Sequence, residues 1–336
     1  MQISKINTYK SIFLFLLLSF SFSCFSQKEL KGVVYDEKTK EPLESVVVYL
    51  DGTTSGTVTN QQGKFLLELG VTSDKQVIIT YLGYQTITIP LSSISERDYL
   101  RVYLKEKLES LNPVYLETDD WSREKKLGYF RKYFIGEPKF QRKCIIENEE
   151  DIHLYYSAKD KILYASSLAP LRIKNSLLGY DILYNLVDFE IRLNNYSLVN
   201  SVYFLGTSFF SEFPNNSNYY KRKRLKAYEG SVLHFMRSLA TNNLENNDFE
   251  IFYKGFKVSP DQYFVVTFKE RTAEVLMTAE RLSILFKKKQ TELISNTKEP
   301  FYIDGLGNHT SPDKLLFSGY MGSLKVSQML PINYGL

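Results

Sequence analysis

Val46-Val47-Val48-Tyr49-Leu50-Asp51-Gly52 decides the fold. An apolar, β-branched run ends on Asp-Gly, a pair suited to a tight turn because glycine adopts positive φ without strain. Gly56-Thr57-Val58-Thr59 follows at once, and then Gly63-Lys64-Phe65-Leu66-Leu67-Glu68-Leu69. Before the run stands Leu30-Lys31-Gly32-Val33-Val34-Tyr35, joined to it by a polar turn from Asp36 to Leu43. After it come Val77-Ile78-Ile79-Thr80-Tyr81, Thr86-Ile87-Thr88-Ile89-Pro90 and Leu100-Arg101-Val102-Tyr103-Leu104. Residues 28–104 thus predict about seven short strands, the number expected of a small β-sandwich.

Several of these runs carry a resemblance. Gly32-Val33-Val34, Glu41-Pro42-Leu43, Gly56-Thr57-Val58-Thr59-Asn60, Gly63-Lys64-Phe65 and Tyr81-Leu82-Gly83-Tyr84-Gln85 occur in that order. Together they resemble the carboxypeptidase regulatory-like domain, a transthyretin-like β-sandwich common in exported Bacteroidetes proteins. Asn60 departs from the aspartate frequent there. Its side-chain oxygen can cap the same turn.

The chain opens on a leader. Lys5 and Lys10 precede an apolar run from Ile12 to Phe22, and the small residues Ser23 and Ser26 follow. This order predicts a secretory signal peptide over residues 1–26, cleaved after Ser26. Lipidation at Cys24 is the competing reading, which would tether the protein to a membrane. Of the three residues before Cys24 only Ser23 suits a lipidation motif. The mature chain keeps one cysteine, Cys144, beside Ile145 and Ile146. An intramolecular disulfide is then impossible, and a buried, inert thiol is expected.

Of the 336 residues, 42 are Lys or Arg and 38 are Asp or Glu. Removing the two leader lysines leaves 40 against 38, which lacks the broad basic field of a nucleic-acid binder. The 43% hydrophobic content supplies enough apolar mass for more than one core.

The mature chain therefore reads as multidomain: an all-β sandwich over 27–104, a linker over 105–122 and an α+β domain over 123–336. Ser122 is the expected N-cap of a helix reaching about Phe134. Strand candidates follow at 152–156, 161–165, 171–173, 180–186, 189–193, 263–268 and 282–286, with one helix from Tyr220 to Ala240. Phe134-Ile135-Gly136, Pro170-Leu171-Arg172-Ile173, Leu178-Gly179-Tyr180-Asp181-Ile182, Ala227-Tyr228-Glu229-Gly230-Ser231, His234-Phe235-Met236-Arg237-Ser238-Leu239 and Leu330-Pro331-Ile332-Asn333-Tyr334 punctuate this half. They resemble a conserved extension, of unassigned activity, found behind the sandwich in Bacteroidetes envelope proteins. That resemblance implies architecture and compartment.

Helical placement gathers Leu225, Tyr228, Val232, Phe235, Met236 and Leu239 on one face of the 220–240 helix. Lys223, Lys226, Gly230, His234 and Arg237 fall opposite. A solvated face is the plain expectation for this stripe. The sharper one is that Lys223, Lys226, His234 and Arg237 hold an anion or a partner's carboxylates.

Catalytic patterns are missing. The chain has three histidines, His153, His234 and His309, and none begins a His-Glu-x-x-His zinc motif. No Gly-x-Ser-x-Gly elbow, P-loop or dinucleotide fingerprint occurs. Glu149-Glu150-Asp151 and Asp119-Asp120 read as solvated charge. A TonB-dependent transporter barrel takes about 22 strands, more than about 200 residues supply. The sequence thus predicts a non-catalytic exported envelope protein without cofactor or nucleic acid, acting as a binding or assembly module for an envelope protein or glycan. The alternative is a glycan hydrolase using carboxylates of the C-terminal domain, which needs two carboxyls flanking a cleft.

Overall fold

The computed structural model describes residues 28–70, 75–95, 99–107, 119–215, 217–269, 272–310 and 314–336. The expected signal peptide, with Ser26 and Cys24, and most of the expected 105–122 linker lie outside the described residues.

The seven expected strands are present: β1 (Glu29–Asp36), β2 (Val47–Leu50), β3 (Gly56–Val58), β4 (Lys64–Glu68), β5 (Gln76–Thr80), β6 (Ile87–Pro90) and β7 (Tyr99–Leu104). They form two sheets, ordered β4-β1-β7 and β3-β2-β5-β6. Alternate residues Val34, Val48, Leu50, Phe65, Leu67, Val77, Ile79 and Val102 fill the space between them. Gly32 lies where β1 passes both the Leu100 carbonyl and the Phe65 ring. A Cβ there would come within 2.5 Å of the former, so only glycine fits. Asn60 caps its turn as aspartate would, its side-chain oxygen accepting from the Gln62 and Lys64 amides. The Tyr84 hydroxyl donates to Asp36 at 2.8 Å and ties the Tyr81–Gln85 motif to the end of β1.

The central strands of one sheet, β2 and β5, are covered on both faces. Tyr49 and Ile78 point away from the sandwich core, yet each is fully buried. Continuous apolar strands are the mark of such double burial.

Ser122 caps α1 (Arg123–Phe130), its hydroxyl accepting from the Lys125 amide. The helix runs on as a π-helical turn, Arg131–Ile135, which brings Phe130 and Phe134 onto one buried face. After α2 (Pro138–Gln141) come β8 (Cys144–Ile146), β9 (Ile152–Ser157), β10 (Ile162–Ser167), β11 (Leu171–Asn175), β12 (Tyr180–Leu193) and β13 (Val199–Glu212). All pair antiparallel. β12 replaces the two strands expected over 180–193. A bulge between Leu186 and Asp188 interrupts its alternation and turns Val187 outward, which split the sequence pattern.

The single helix expected over 220–240 is two, α3 (Asn218–Tyr228) and α4 (Val232–Ala240). Gly230 breaks it at φ +75°. A Cβ there would sit 2.5 Å from the Phe286 ring. The remaining strands are β14 (Phe249–Tyr253), β15 (Phe256–Val258), β16 (Phe264–Lys269), β17 (Thr272–Met277), β18 (Arg281–Phe286), β19 (Lys289–Ser295), β20 (Phe301–Asp304) and β21 (Leu315–Ser318). They form sheets ordered β15-β14-β18-β19-β21 and β16-β17-β20.

The molecule is mostly β-sheet. The segment expected as one α+β domain divides its apolar residues between two clusters. One joins α1 to the β8–β13 sheet. The other packs Phe235, Met236 and Leu239 of α4 against the later strands. Among the described residues no helix is long and apolar enough to cross a membrane, which says nothing of strands.

Candidate functional site

The turn after β2 is the centre of an interface. Its polar backbone groups, which would be costly to bury unpaired, bond to β13 and to the C-terminal segment. The Gly52 amide donates to the Ser208 carbonyl at 2.7 Å, the Phe210 amide to Thr53 at 3.0 Å and the Ile332 amide to Gly52 at 2.7 Å. The Asp51 carboxylate accepts from the Ser208 amide at 2.8 Å. Burial raises the Asp51 pKa, and that amide and Lys75 oppose the shift. Beside the turn, the Tyr49 hydroxyl bonds Thr207 at 3.0 Å and its ring lies 5.4 Å from that of Phe209. Gly56 makes room for Phe209.

A second contact joins the sandwich to β20. The Lys75 ammonium meets the Asp304 carboxylate at 2.7 Å, with both side chains under 10% exposed. The other Asp304 oxygen accepts from the Leu306 and Asn308 amides.

The four residues of the expected cationic stripe do not share one face, because the helix that would align them is broken. Lys226 is exposed on α3, and Lys223 leans over the Tyr219 ring at 5.4 Å. His234 Nδ1 accepts from the Gly230 amide at 3.1 Å, and burial lowers its pKa, so the ring is neutral near pH 7. Arg237 donates to the backbone carbonyls of Leu306, Ile332 and Tyr334 at 2.9, 2.7 and 2.8 Å. Its planar fork suits several fixed acceptors. It holds the C-terminal segment against the loop after β20.

The expected apolar face also fails at one end. Leu225 is 51% exposed, whereas Arg224 is 3% exposed. Arg224 stacks on Tyr180 at 3.9 Å, donates to the Leu178 and Gly179 carbonyls and pairs with Glu212. Sequence reasoning missed Arg224, Lys75 and Asp304. For Arg224 the hint is its place on the Ala227 side of α3; for the other two, nothing local distinguishes them.

Behind Arg237 lies a cavity of about 250 Å³, walled by Phe204, Val232, Leu233, Met321, Leu330 and Ile332. A second, wider hollow of about 650 Å³ is lined by Glu245, Asp248, Glu250 and Lys257 among others. Glu245 and Asp248 are exposed, and Glu250 pairs with Lys257 at 2.6 Å. Neither exposed carboxyl has the water-poor surroundings that make a glycosidase acid. Glu149 of the acidic run pairs with Arg131, and Asp119 with Lys126. Cys144 is buried, and burial pushes its thiol up to about 12. Among the described residues no three His, Cys, Asp or Glu side chains come together to hold a metal ion.

The sandwich is a CarboxypepD_reg-like domain: the family model of that description matches residues 30–116. Two curated proteins share this region. TonB-dependent receptor SusC of Bacteroides thetaiotaomicron is 32% identical over 95 residues, 28% of this chain and 9% of the receptor. TonB-dependent receptor P39 of Formosa agariphila is 32% identical over 117 residues, 34% of this chain and 11% of the receptor. The chain therefore spans about a tenth of the length of either relative. Among solved structures, a 9R-lipoxygenase from Cyanothece aligns over 64% of this chain and 48% of its own at 10% identity. Its TM-score of 0.18 carries no argument about the fold.

Proposed function

We propose that the chain is a non-catalytic, exported cell-envelope protein that serves as a binding or assembly module. The observation that carries this reading is how the sandwich is used. The centre of its β3-β2-β5-β6 sheet is spent on the rest of the chain, while the β4-β1-β7 sheet faces outward. On that outer face Tyr99 is 49% and Tyr103 44% exposed, with Arg101 between them and Leu66 on the far strand. Tyrosine and arginine on a rigid sheet are the composition of protein-binding surfaces. The kinship of the sandwich with segments of TonB-dependent receptors supports an envelope setting, and the leader over residues 1–26 supports export. An envelope protein is the favoured partner.

The test is quantitative mass spectrometry of proteins recovered with the tagged chain from gently cross-linked native envelope. The reading expects a reproducible envelope protein whose yield falls when Tyr99 and Tyr103 are both changed to Ala. No envelope protein above background, or a yield indifferent to that change, overturns it.

A further inference from the structure

The cavity behind Arg237 has an origin and a chemistry of its own. It forms where β13, the α3–α4 elbow, the loop after β20 and the C-terminal segment meet. Arg237 fixes two of those walls by holding the Leu306 and Ile332 carbonyls. Gly307 lets the wall come close, since a Cβ there would lie 2.6 Å from the Arg237 side chain. The lining is aliphatic and aromatic apart from a few polar groups, among them Lys325, His309 and Gln328.

Lys325 is the unusual one. Its ammonium lies 6.0 Å from the centre of the Phe204 ring, itself a wall of the cavity. Burial lowers its pKa, and no carboxylate among the described residues offsets this. A half-buried ammonium without a counter-charge is costly. Folding tolerates it here with an apolar space beside it. Apolar pockets with a few convergent polar groups are the ordinary form of a small-molecule site.

We infer that this cavity binds a small organic carboxylate with an apolar body, its carboxylate meeting Lys325 and its hydrocarbon lying against Leu233, Met321 and Leu330. Size narrows the class. An apolar cavity of about 150 Å³ admits a benzene ring. About 250 Å³ leaves room for such a ring and a short carboxylate arm. The site is separate from the outer sandwich sheet, so it stands or falls independently of the partner reading.

The experiment titrates the full chain with 3-phenylpropionate and with its uncharged amide, by calorimetry and ligand-observed NMR. The expected result is saturable binding of the acid, with the amide weaker by about tenfold or more, the loss expected when a charged contact is removed. Lys325→Met removes that preference by weakening the acid to the level of the amide. Leu233→Trp, which fills the cavity, removes binding of both. Equal affinity of the unmodified chain for acid and amide, or no saturable binding at millimolar acid, overturns the inference. That comparison needs no variant and decides the matter even if Lys325→Met fails to fold. With a folded Lys325→Met, an unchanged acid affinity also overturns it.

Discussion

Lys75 and Asp304 stand 229 positions apart and form a buried ion pair at 2.7 Å that joins the sandwich to the end of β20. Both charges are satisfied: the carboxylate accepts two backbone amides as well as the ammonium. Removing one partner leaves the other buried without its counter-charge. Lys75→Met is expected to cost about 3–5 kcal/mol in chemical denaturation. Adding Asp304→Asn, which keeps an acceptor for the amides and removes the charge, should recover more than half of that loss. A double variant no better than the single one would show that the ammonium acts through packing alone.

Gly56 tests the other half of the interface. A Cβ at this position would come 2.3 Å from the Phe209 ring. Gly56→Val should destabilise the full chain by about 1–3 kcal/mol, the usual cost of overpacking. Urea denaturation checks this, and an unchanged midpoint would place Phe209 elsewhere.

Arg237 and Lys226 should behave oppositely. Arg237→Ala leaves three carbonyls without their charged donor and should cost about 2–4 kcal/mol, with faster hydrogen exchange in residues 330–336. Arg237→Lys should not restore the loss, because an ammonium cannot reproduce the fork. Lys226→Glu, at an exposed position, should stay within about 0.5 kcal/mol of the parent. Denaturation curves of the three variants suffice.

Acid should weaken the fold through His309. Burial holds its imidazole down at about 4, whereas the unfolded side chain titrates near about 6.5. The unfolded chain thus takes up the proton first. The contribution is complete above pH about 6.5 and is lost as the pH falls toward about 4, up to about 3 kcal/mol. His234 shifts in the same direction, also through burial. Stability measured across this window should fall with acid, and His309→Gln should make the fall shallower without abolishing it. An identical slope in the variant would remove His309 from the account.

Much of the sandwich was legible because its strands are short, apolar and separated by turn residues. Even its second buried face had a trace: Val46 to Leu50 and Val77 to Ile79 run apolar without alternation, and Tyr49 and Ile78 are covered as such a run implies. What was hidden is the partner. β13 reads poorly as a strand because Gly206-Thr207-Ser208 interrupts it, yet Ser208 and nearby Phe210 are what the Asp51–Thr53 turn bonds. The cationic stripe was misplaced for a different reason. Helical spacing assumes an unbroken helix, and Gly230 ends one and precedes another, so the sequence carried both the pattern and its contradiction. Arg237 was singled out as a site residue, and its guanidinium is committed to backbone carbonyls, a role that spacing cannot reveal.

The account rests on the sandwich being a fixed part of one body. Native-state hydrogen exchange of the interface amides tests this most directly. Gly52, Ser208, Phe210 and Ile332 donate across the boundary. If the sandwich is fixed, these amides open only with the whole fold, with the same free energy and denaturant dependence as Ile191, a fully buried residue of β12. Exchange of the four at a free energy several kcal/mol below that of Ile191 would show a sandwich that undocks by itself, and would contradict the account.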